Sequence, residues 1–245
     1  MPSITTYRSD GIGSTIQVYL LCYALAKLNN FDFSFSSFGE ILNFDKDGKT
    51  NKEHTEEWNK FFSLKSVATK NENDLVTVID STQIMRSVDR NFLNKAKPFL
   101  TDLKKLVSYA PNKLYFLPDK TNVAIHVRQF VKNQDNDPNP IRRCYSGSNQ
   151  DVNYYTALVK QLKTEKSNIH VFTVGEEKLL DYLEDDNVKI HYNESSFSDM
   201  YHMIMSDILV MANSSFSYVA HLLNSGETYV DRTFYHPTYE SAKLI

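Results

Sequence analysis

Arg128 and the run Asn213-Ser214-Ser215-Phe216-Ser217 are the residues whose types and spacing best suit chemistry on an anion. In Val123-Ala124-Ile125-His126-Val127-Arg128, a β-branched apolar stretch ends in a histidine and an arginine two residues apart. Period-2 geometry puts Ile125 and Val127 on one face of a strand, and Ala124, His126 and Arg128 on the other. In α/β proteins, ligands sit beyond the carboxyl ends of the strands, and a planar guanidinium can bond two phosphate oxygens at once. The alternative is a strand end that reaches solvent and makes a surface ion pair. Residues 213–217 fall between a strand and a helix, where hydroxyls and unpaired N–H groups can hold an anionic oxygen. Ser215 would otherwise serve only as the helix cap. A third stretch, Ser9-Asp10-Gly11-Ile12-Gly13-Ser14, follows a strand and precedes a helix, the layout that lets backbone N–H groups meet an anion. Ile16 stands where a dinucleotide fingerprint has its third glycine, and tight packing alone would also account for Gly11 and Gly13.

The elements that must position these residues form a regular pattern in the second half. Strands over residues 122–128, 169–174, 188–192, 207–212 and 228–230 alternate with helices over 151–165, 176–184, 198–205 and 215–223. The first of these helices has Asp151 as its N-cap. Such alternation implies right-handed crossovers and a parallel sheet. The first half alternates more loosely. A strand over 3–8 precedes a helix over about 15–28, with Ile16, Tyr19, Leu20, Tyr23 and Leu28 along one stripe. Then come an aromatic strand at 31–35, a polar loop at 43–51 and a charged helix at 53–62 that carries Trp58. His54 is placed on the solvated face of that helix. A buried strand follows at 75–79, then a helical stretch at 92–109 in which Pro98 is discordant. Residues 111–120 hold two prolines without periodicity and mark a boundary. The expected fold class is α/β, with two Rossmann-like domains over residues 1–118 and 119–245 whose parallel sheets face a central cleft. The loop at 129–150 carries Lys132, Asp135, Asp137, Arg142 and Arg143. It is longer than ordinary strand–helix connections, and its length and polarity suggest that it orders on ligand binding.

Composition narrows the function classes. A chain of 245 residues with 41% hydrophobic and 23% charged residues can bury a substantial core. A net charge of −3 gives no bulk positive field for nucleic acid. Cys22 and Cys144 are the two cysteines, which sets aside a disulfide framework and a thiolate metal site and favours a reducing, cytoplasmic compartment. The N-terminal residues show no signal-peptide core, and the apolar stretch at 18–28 is too short to span a bilayer. The sequons at Asn193 and Asn213 therefore carry little weight.

Three segments together resemble the fucosyltransferase superfamily, which includes the α-1,2-, α-1,6- and protein O-fucosyltransferases. The family's early Gly-Leu-Gly-Asn-Gln turn and helix is similar to Gly11-Ile12-Gly13-Ser14-Thr15-Ile16-Gln17-Val18-Tyr19. Its His-x-Arg-Arg motif is similar to His126-Val127-Arg128-Gln129. Its late acidic helix, strand and Ser-Ser/Thr-Phe-Ser turn are similar to the stretch from Asp199 through Asp207 to Asn213-Ser214-Ser215-Phe216-Ser217-Tyr218-Val219-Ala220. Order and spacing agree for all three, so the resemblance covers most of the chain. Gln129 replaces the second arginine, and Ser14 and Thr15 replace Asn-Gln.

The resemblance implies a GT-B-like enzyme that moves a sugar, fucose by default, from a nucleotide-diphosphate donor such as GDP-fucose to a hydroxyl of a glycan acceptor. It implies inversion at the anomeric carbon, with no metal and no cofactor. The chain departs from the family's Golgi members in lacking their membrane anchor, and a soluble enzyme is expected. The second domain would be the nucleotide-sugar side and the first the acceptor side. Arg128 would bind the pyrophosphate and stabilise the leaving group, and His126 would contact the nucleotide or orient Arg128. Gly11, Gly13, Ser14, Asn213, Ser214, Ser215 and Phe216 would complete the donor site. An acceptor hydroxyl calls for a base; Asp10, Asp135 and Asp137 are the candidates, and the sequence leaves them open. The departures at Gln129, Ser14 and Thr15 leave room for another donor, such as a UDP- or GDP-linked pentose or deoxyhexose. They leave room also for a non-catalytic nucleotide- or glycan-binding relative. A nucleotide-dependent oxidoreductase using the Gly11–Gly13 turn is a further alternative.

Overall fold

The run Thr121–Arg128 forms a strand of eight residues whose middle is sealed from water, because it is paired along both edges. It belongs to a computed structural model that describes residues 2–43, 48–69, 75–128, 152–175, 178, 180–231 and 234–245. The chain divides into two compact units. One comprises Met1–Ala110 with His236–Glu240, the other Pro111–Tyr235 with Ser241–Ile245. Both are α/β units built on parallel sheets.

The first unit carries a three-stranded parallel sheet in the order β2-β1-β3. Its strands are β1 (Ser3–Tyr7), β2 (Asp32–Phe33) and β3 (Val76–Asp80). Helix α1 (Ile12–Leu28) packs against β1, and nearly every one of its residues from Ile12 to Ala26 is buried. The rings of Tyr19, Phe33, Phe35 and Phe38 meet edge-on or stacked at 5.1–6.1 Å, favoured aromatic geometries. Helix α2 (Asn51–Phe61) opens with a capping box in which the Thr50 hydroxyl accepts from the Glu53 N–H and the Glu53 carboxylate accepts from the Thr50 N–H. Helices α3 (Ser81–Ser87) and α4 (Arg90–Asp102) are capped by the carboxylates of Asp80 and Asp89. Pro98 lies inside α4, and a 3-10 turn at Leu103–Leu106 ends the helical stretch.

Two expectations for this unit are overturned. Helix α1 begins at Ile12 rather than Thr15, so Gly13 and Ser14 are already its first turn. The N-cap, Gly11, has φ −60°, a conformation open to any residue. The second concerns β3, which is an edge strand among the described residues, with Leu75 97% and Val78 64% exposed. A β-branched run reads alike whether a neighbour covers it or not, so its composition gave no sign of exposure.

His54 is a third correction: it is fully buried rather than solvated. His54, Trp58 and Phe61 are spaced i, i+4, i+7 and share the inner face of α2. The Trp58 indole N–H donates to His54 Nε2 at 3.0 Å.

The second unit carries a six-stranded sheet, all parallel, in the order β6-β5-β4-β7-β8-β9. The strands are β4 (Thr121–Arg128), β5 (Ser167–Val174), β6 (Val188–Tyr192), β7 (Ile208–Val210), β8 (Glu227–Val230) and β9 (Lys243–Leu244). Counted within the unit, this is the 3-2-1-4-5-6 order of a doubly wound dinucleotide-type fold, and the order reverses between β4 and β7. Val123, Ile125 and Val127 face α5 (Val152–Leu162), where they meet Tyr155, Leu158 and Val159. Helix α6 (Ser196–Met205) also packs against β4, and α7 (Ser215–Leu223) packs on α6. The Asn224 amide donates to the carbonyls of Met203, Ile204 and Ser206, satisfying the end of α6. Gly226 is required because a Cβ there would lie 2.2 Å from the Asp207 carbonyl oxygen.

The expected helix at 176–184 is, among the described residues, only a 3-10 turn at Asp181–Leu183. After β8 the chain runs to Tyr235, contributes His236–Glu240 to the first unit, and returns as β9. Among the described residues, no helix is long and apolar enough to cross a membrane.

Replacing His54 with leucine leaves the Trp58 N–H buried without an acceptor, which costs about 1–3 kcal/mol. Trp58 is the sole tryptophan, so urea unfolding followed by its fluorescence reads the first unit directly. We expect a lower midpoint for His54→Leu; an unchanged midpoint would show that the bond contributes nothing.

Candidate functional site

Arg128 closes β4, and the chain from β7 turns through Asn213 into α7, so both features lie at the carboxyl ends of the strands flanking the order reversal. There the Arg128 guanidinium donates from Nη1 to the Ser214 hydroxyl oxygen at 3.3 Å. The helix cap is Ser214, not Ser215: its Oγ accepts the Phe216 N–H at 3.2 Å. Ser214 is buried, and these two donors occupy both lone pairs of its oxygen. Its own proton is the donor that remains to the group. The Ser217 hydroxyl turns inward, donating to the Ala212 carbonyl at 3.1 Å and fixing the approach to the helix. Asn213, Ser215 and Phe216 are half-buried at the same turn.

His126 stands two residues before Arg128 on the same face, and its ring lies 5.6 Å from that of Phe216. Its Nδ1 is sealed from water and has no hydrogen-bond partner among the described residues. Burial, and then the nearby Arg128 charge, push its pKa down to about 3, so the ring is neutral at physiological pH. Arg128 itself reaches solvent, yet protein crowds it enough that burial lowers its pKa, an effect opposed by Tyr235. A cation exposed at its tip and held at its base suits an anionic ligand. The Tyr235 hydroxyl lies 3.2 Å from Ser215 Oγ, a proximity for which the sequence offered no motif.

The same face continues into β5, where Phe172 is in register with His126. Beside it, His170 Nδ1 meets His191 Nε2 at 2.8 Å, and His191 Nδ1 meets Glu194 at 3.1 Å. Glu194 also accepts from the Tyr115 hydroxyl, and the Tyr115 ring stacks on His191 at 4.1 Å and His202 at 4.6 Å. The carboxylate orients the chain, so the series ends at His170 Nε2, which is buried with no partner among the described residues. Burial, with the neighbouring His191 second, pushes His170 down to about 3. Among the described residues no group of three or more His, Cys, Asp or Glu is arranged to hold a metal ion.

The remaining sequence-derived candidates lie in the first unit or outside the described residues. Asp10 is tied down: one carboxylate oxygen pairs with Arg8 at 2.8 Å and the other accepts the Gly11 N–H at 2.8 Å. Gly11, Gly13 and Ser14 occupy the start of α1, where no side chain caps the helix and the Thr15 hydroxyl donates to the Asp10 carbonyl at 3.2 Å. Asp135 and Asp137, with Lys132, Arg142, Arg143 and Gln129 and the rest of the loop at 129–150, lie outside the described residues.

No protein-family model matches the chain, and no curated protein matches its sequence. Solved structures to which it is similar include fucosyltransferases. The fucosyltransferase NodZ from Bradyrhizobium is 14% identical over 91% of each chain, with a TM-score of 0.35. POFUT1 in complex with GDP-fucose is 10% identical over 97% of this chain and 73% of its own, also with a TM-score of 0.35. POFUT1 in complex with GDP is 12% identical over 91% and 74%, with a TM-score of 0.33. TM-scores of this size carry no assignment of fold or activity.

The histidine pKa values set a direction for acid stability. His126 and His170 take up protons near 6.5 when unfolded but near 3 when folded. Their contribution is intact above pH 6.5 and is lost as pH falls from there toward 3, because acid favours the unfolded chain. Each adds a slope of about 1.4 kcal/mol per pH unit within that window. Denaturant unfolding of wild type and His170→Phe at pH 7, 6, 5 and 4 should show a shallower acid loss in the variant. Parallel curves would exclude His170 as a titrating group.

Proposed function

We propose that this chain is a glycosyltransferase that takes a sugar from a nucleotide-diphosphate donor and passes it to a hydroxyl of a glycan acceptor with inversion. GDP-fucose is the first donor to test, because the motifs at Gly11, His126 and Ser214 follow the fucosyltransferase order. The observation that carries the reading is the meeting of Arg128 with Ser214 at the point where the strand order of the second unit reverses.

The chemistry follows from charge. As the bond from the anomeric carbon to the diphosphate oxygen breaks, negative charge gathers on the departing phosphate. The Arg128 guanidinium, the Ser214 hydroxyl and the N–H groups at the start of α7 are donors held by the fold before the charge develops. Neutral His126 adds no competing positive charge and packs on Phe216 at the rim of the turn. The base that takes the acceptor proton is Asp10, Asp135 or Asp137. Single Asp→Asn variants separate them: loss of turnover with donor binding retained marks the base.

Removing a well-placed donor of this type costs roughly 100- to 1,000-fold in turnover, or about 2.7–4 kcal/mol. We expect Arg128→Ala to reduce nucleotide release from GDP-fucose, or from the UDP-sugar that proves active, by that order. Donor binding without release from any nucleotide sugar would favour a non-catalytic nucleotide- or glycan-binding relative. Stabilisation by NAD alone would overturn the transferase reading.

A further inference from the structure

We propose that the first segment of the second unit, residues 111–116, is a strap that proton uptake at His202 releases from the sheet. The segment follows directly on the boundary with the first unit and belongs to no helix or strand. Tyr115 and Phe116 are half-buried, while Leu114 and Leu117 on either side are exposed. Side chains hold it in place. The Tyr115 N–H donates to His202 Nε2 at 3.2 Å, and the Tyr115 carbonyl accepts from the Asn168 amide at 3.1 Å. The Phe116 ring meets that of His202 edge-on at 5.1 Å.

The bonds around these rings fix their tautomers. His202 Nδ1 lies 2.8 Å from the Ser198 carbonyl, which can only accept, so Nδ1 carries the proton and Nε2 the lone pair. That lone pair is what holds the Tyr115 N–H. On β6, His191 Nδ1 donates to Glu194, so its Nε2 accepts from His170 Nδ1. Each acceptor nitrogen in use thus belongs to a neutral ring. A proton from solvent on His202 Nε2 takes the lone pair and sets two N–H groups face to face. A second on His191 Nε2 breaks its bond to His170 in the same way. The Tyr115 ring stacks on His191 at 4.1 Å and on His202 at 4.6 Å, so both charges would crowd one phenol.

The surrounding groups pull in both directions. Burial is the largest influence and holds His202 and His191 below the ordinary value of 6.5 while the strap is docked. For His202, the Ser198 bond and Glu194 favour the charged form and His191 opposes it. For His191, Glu194 and Glu184 favour it and Lys113, over the Tyr115 ring at 5.3 Å, opposes it. Tyr201 of α6 meets His202 edge-on at 5.5 Å. Once the strap lifts, the rings regain water and bind protons more readily. The docked form therefore prevails above pH 6.5, and release grows as pH falls below it.

Hydrogen–deuterium exchange of the whole chain at pH 7, 6 and 5, corrected for the intrinsic rate, tests this. Protection of the peptide carrying residues 112–117 should fall about tenfold per pH unit below 6.5 for each proton taken up. The peptide over β4 should stay protected. In His202→Gln, the amide oxygen can stand in for Nε2 and does not titrate, so the strap should stay docked in acid. Nitrogen NMR of wild type needs no variant and should show neutral His202 as the Nδ1–H tautomer at pH 7. Strap protection unchanged between pH 7 and 5 would overturn the proposal, as would an Nε2–H tautomer. An acid loss in His202→Gln equal to that of wild type, or an equal loss at β4, would overturn it too.

Discussion

The parallel pairing of β4 with β5 on one edge and β7 on the other constrains where chemistry can occur in the second unit. Successive connections leave strands at such an order reversal toward opposite sides of the sheet, which is where a crevice forms in doubly wound folds. Arg128 can be the last residue of β4 because Val123, Ile125 and Val127 already anchor the strand through the apolar core on the other face. Its guanidinium meets a serine 86 positions away without any local sequence relation between them. The sheet order alone brings them together.

The site is made of donors. Ser214 accepts both the helix N–H and the guanidinium, which leaves its proton for a ligand, and α7 contributes the positive end of its dipole. Beside them the buried imidazole of His126 stays uncharged. The neighbouring His170–His191–Glu194–Tyr115 series meets its internal demands in one direction and lies on the same sheet face. Phe172, in register with His126, stacks on His191 of this series at 5.0 Å.

Much of the second unit could be read from its period, because strands and helices alternate at regular spacing; α7 lies where its capping serines and apolar stripe put it. The cap itself moved one residue, since Ser214 and Ser215 are equivalent by type and only the backbone decides which is non-helical. Among the described residues the expected helix at 176–184 is only a 3-10 turn, where Leu180 and Leu183 join the core while Tyr182 points to solvent. In the first unit, burial was the part that composition hid. Leu75, just before β3, and Val78 within it look like core residues but are exposed at an edge strand, whereas His54 looks like a surface residue and is sealed behind Trp58. The contact between Arg128 and Ser214 follows from motif order once the sheet is parallel, while that between Tyr235 and Ser215 depends on a return path that no local signal marks.

The central claim is that a diphosphate binds where β4 and α7 meet. Amide and arginine side-chain NMR shifts of isotope-labelled protein, recorded during titration with GDP, test it most directly. The account predicts the largest changes at the backbone N–H groups of Ser215 and Phe216 and at the Arg128 guanidinium. Saturable binding that leaves those signals unmoved and perturbs residues elsewhere would contradict it.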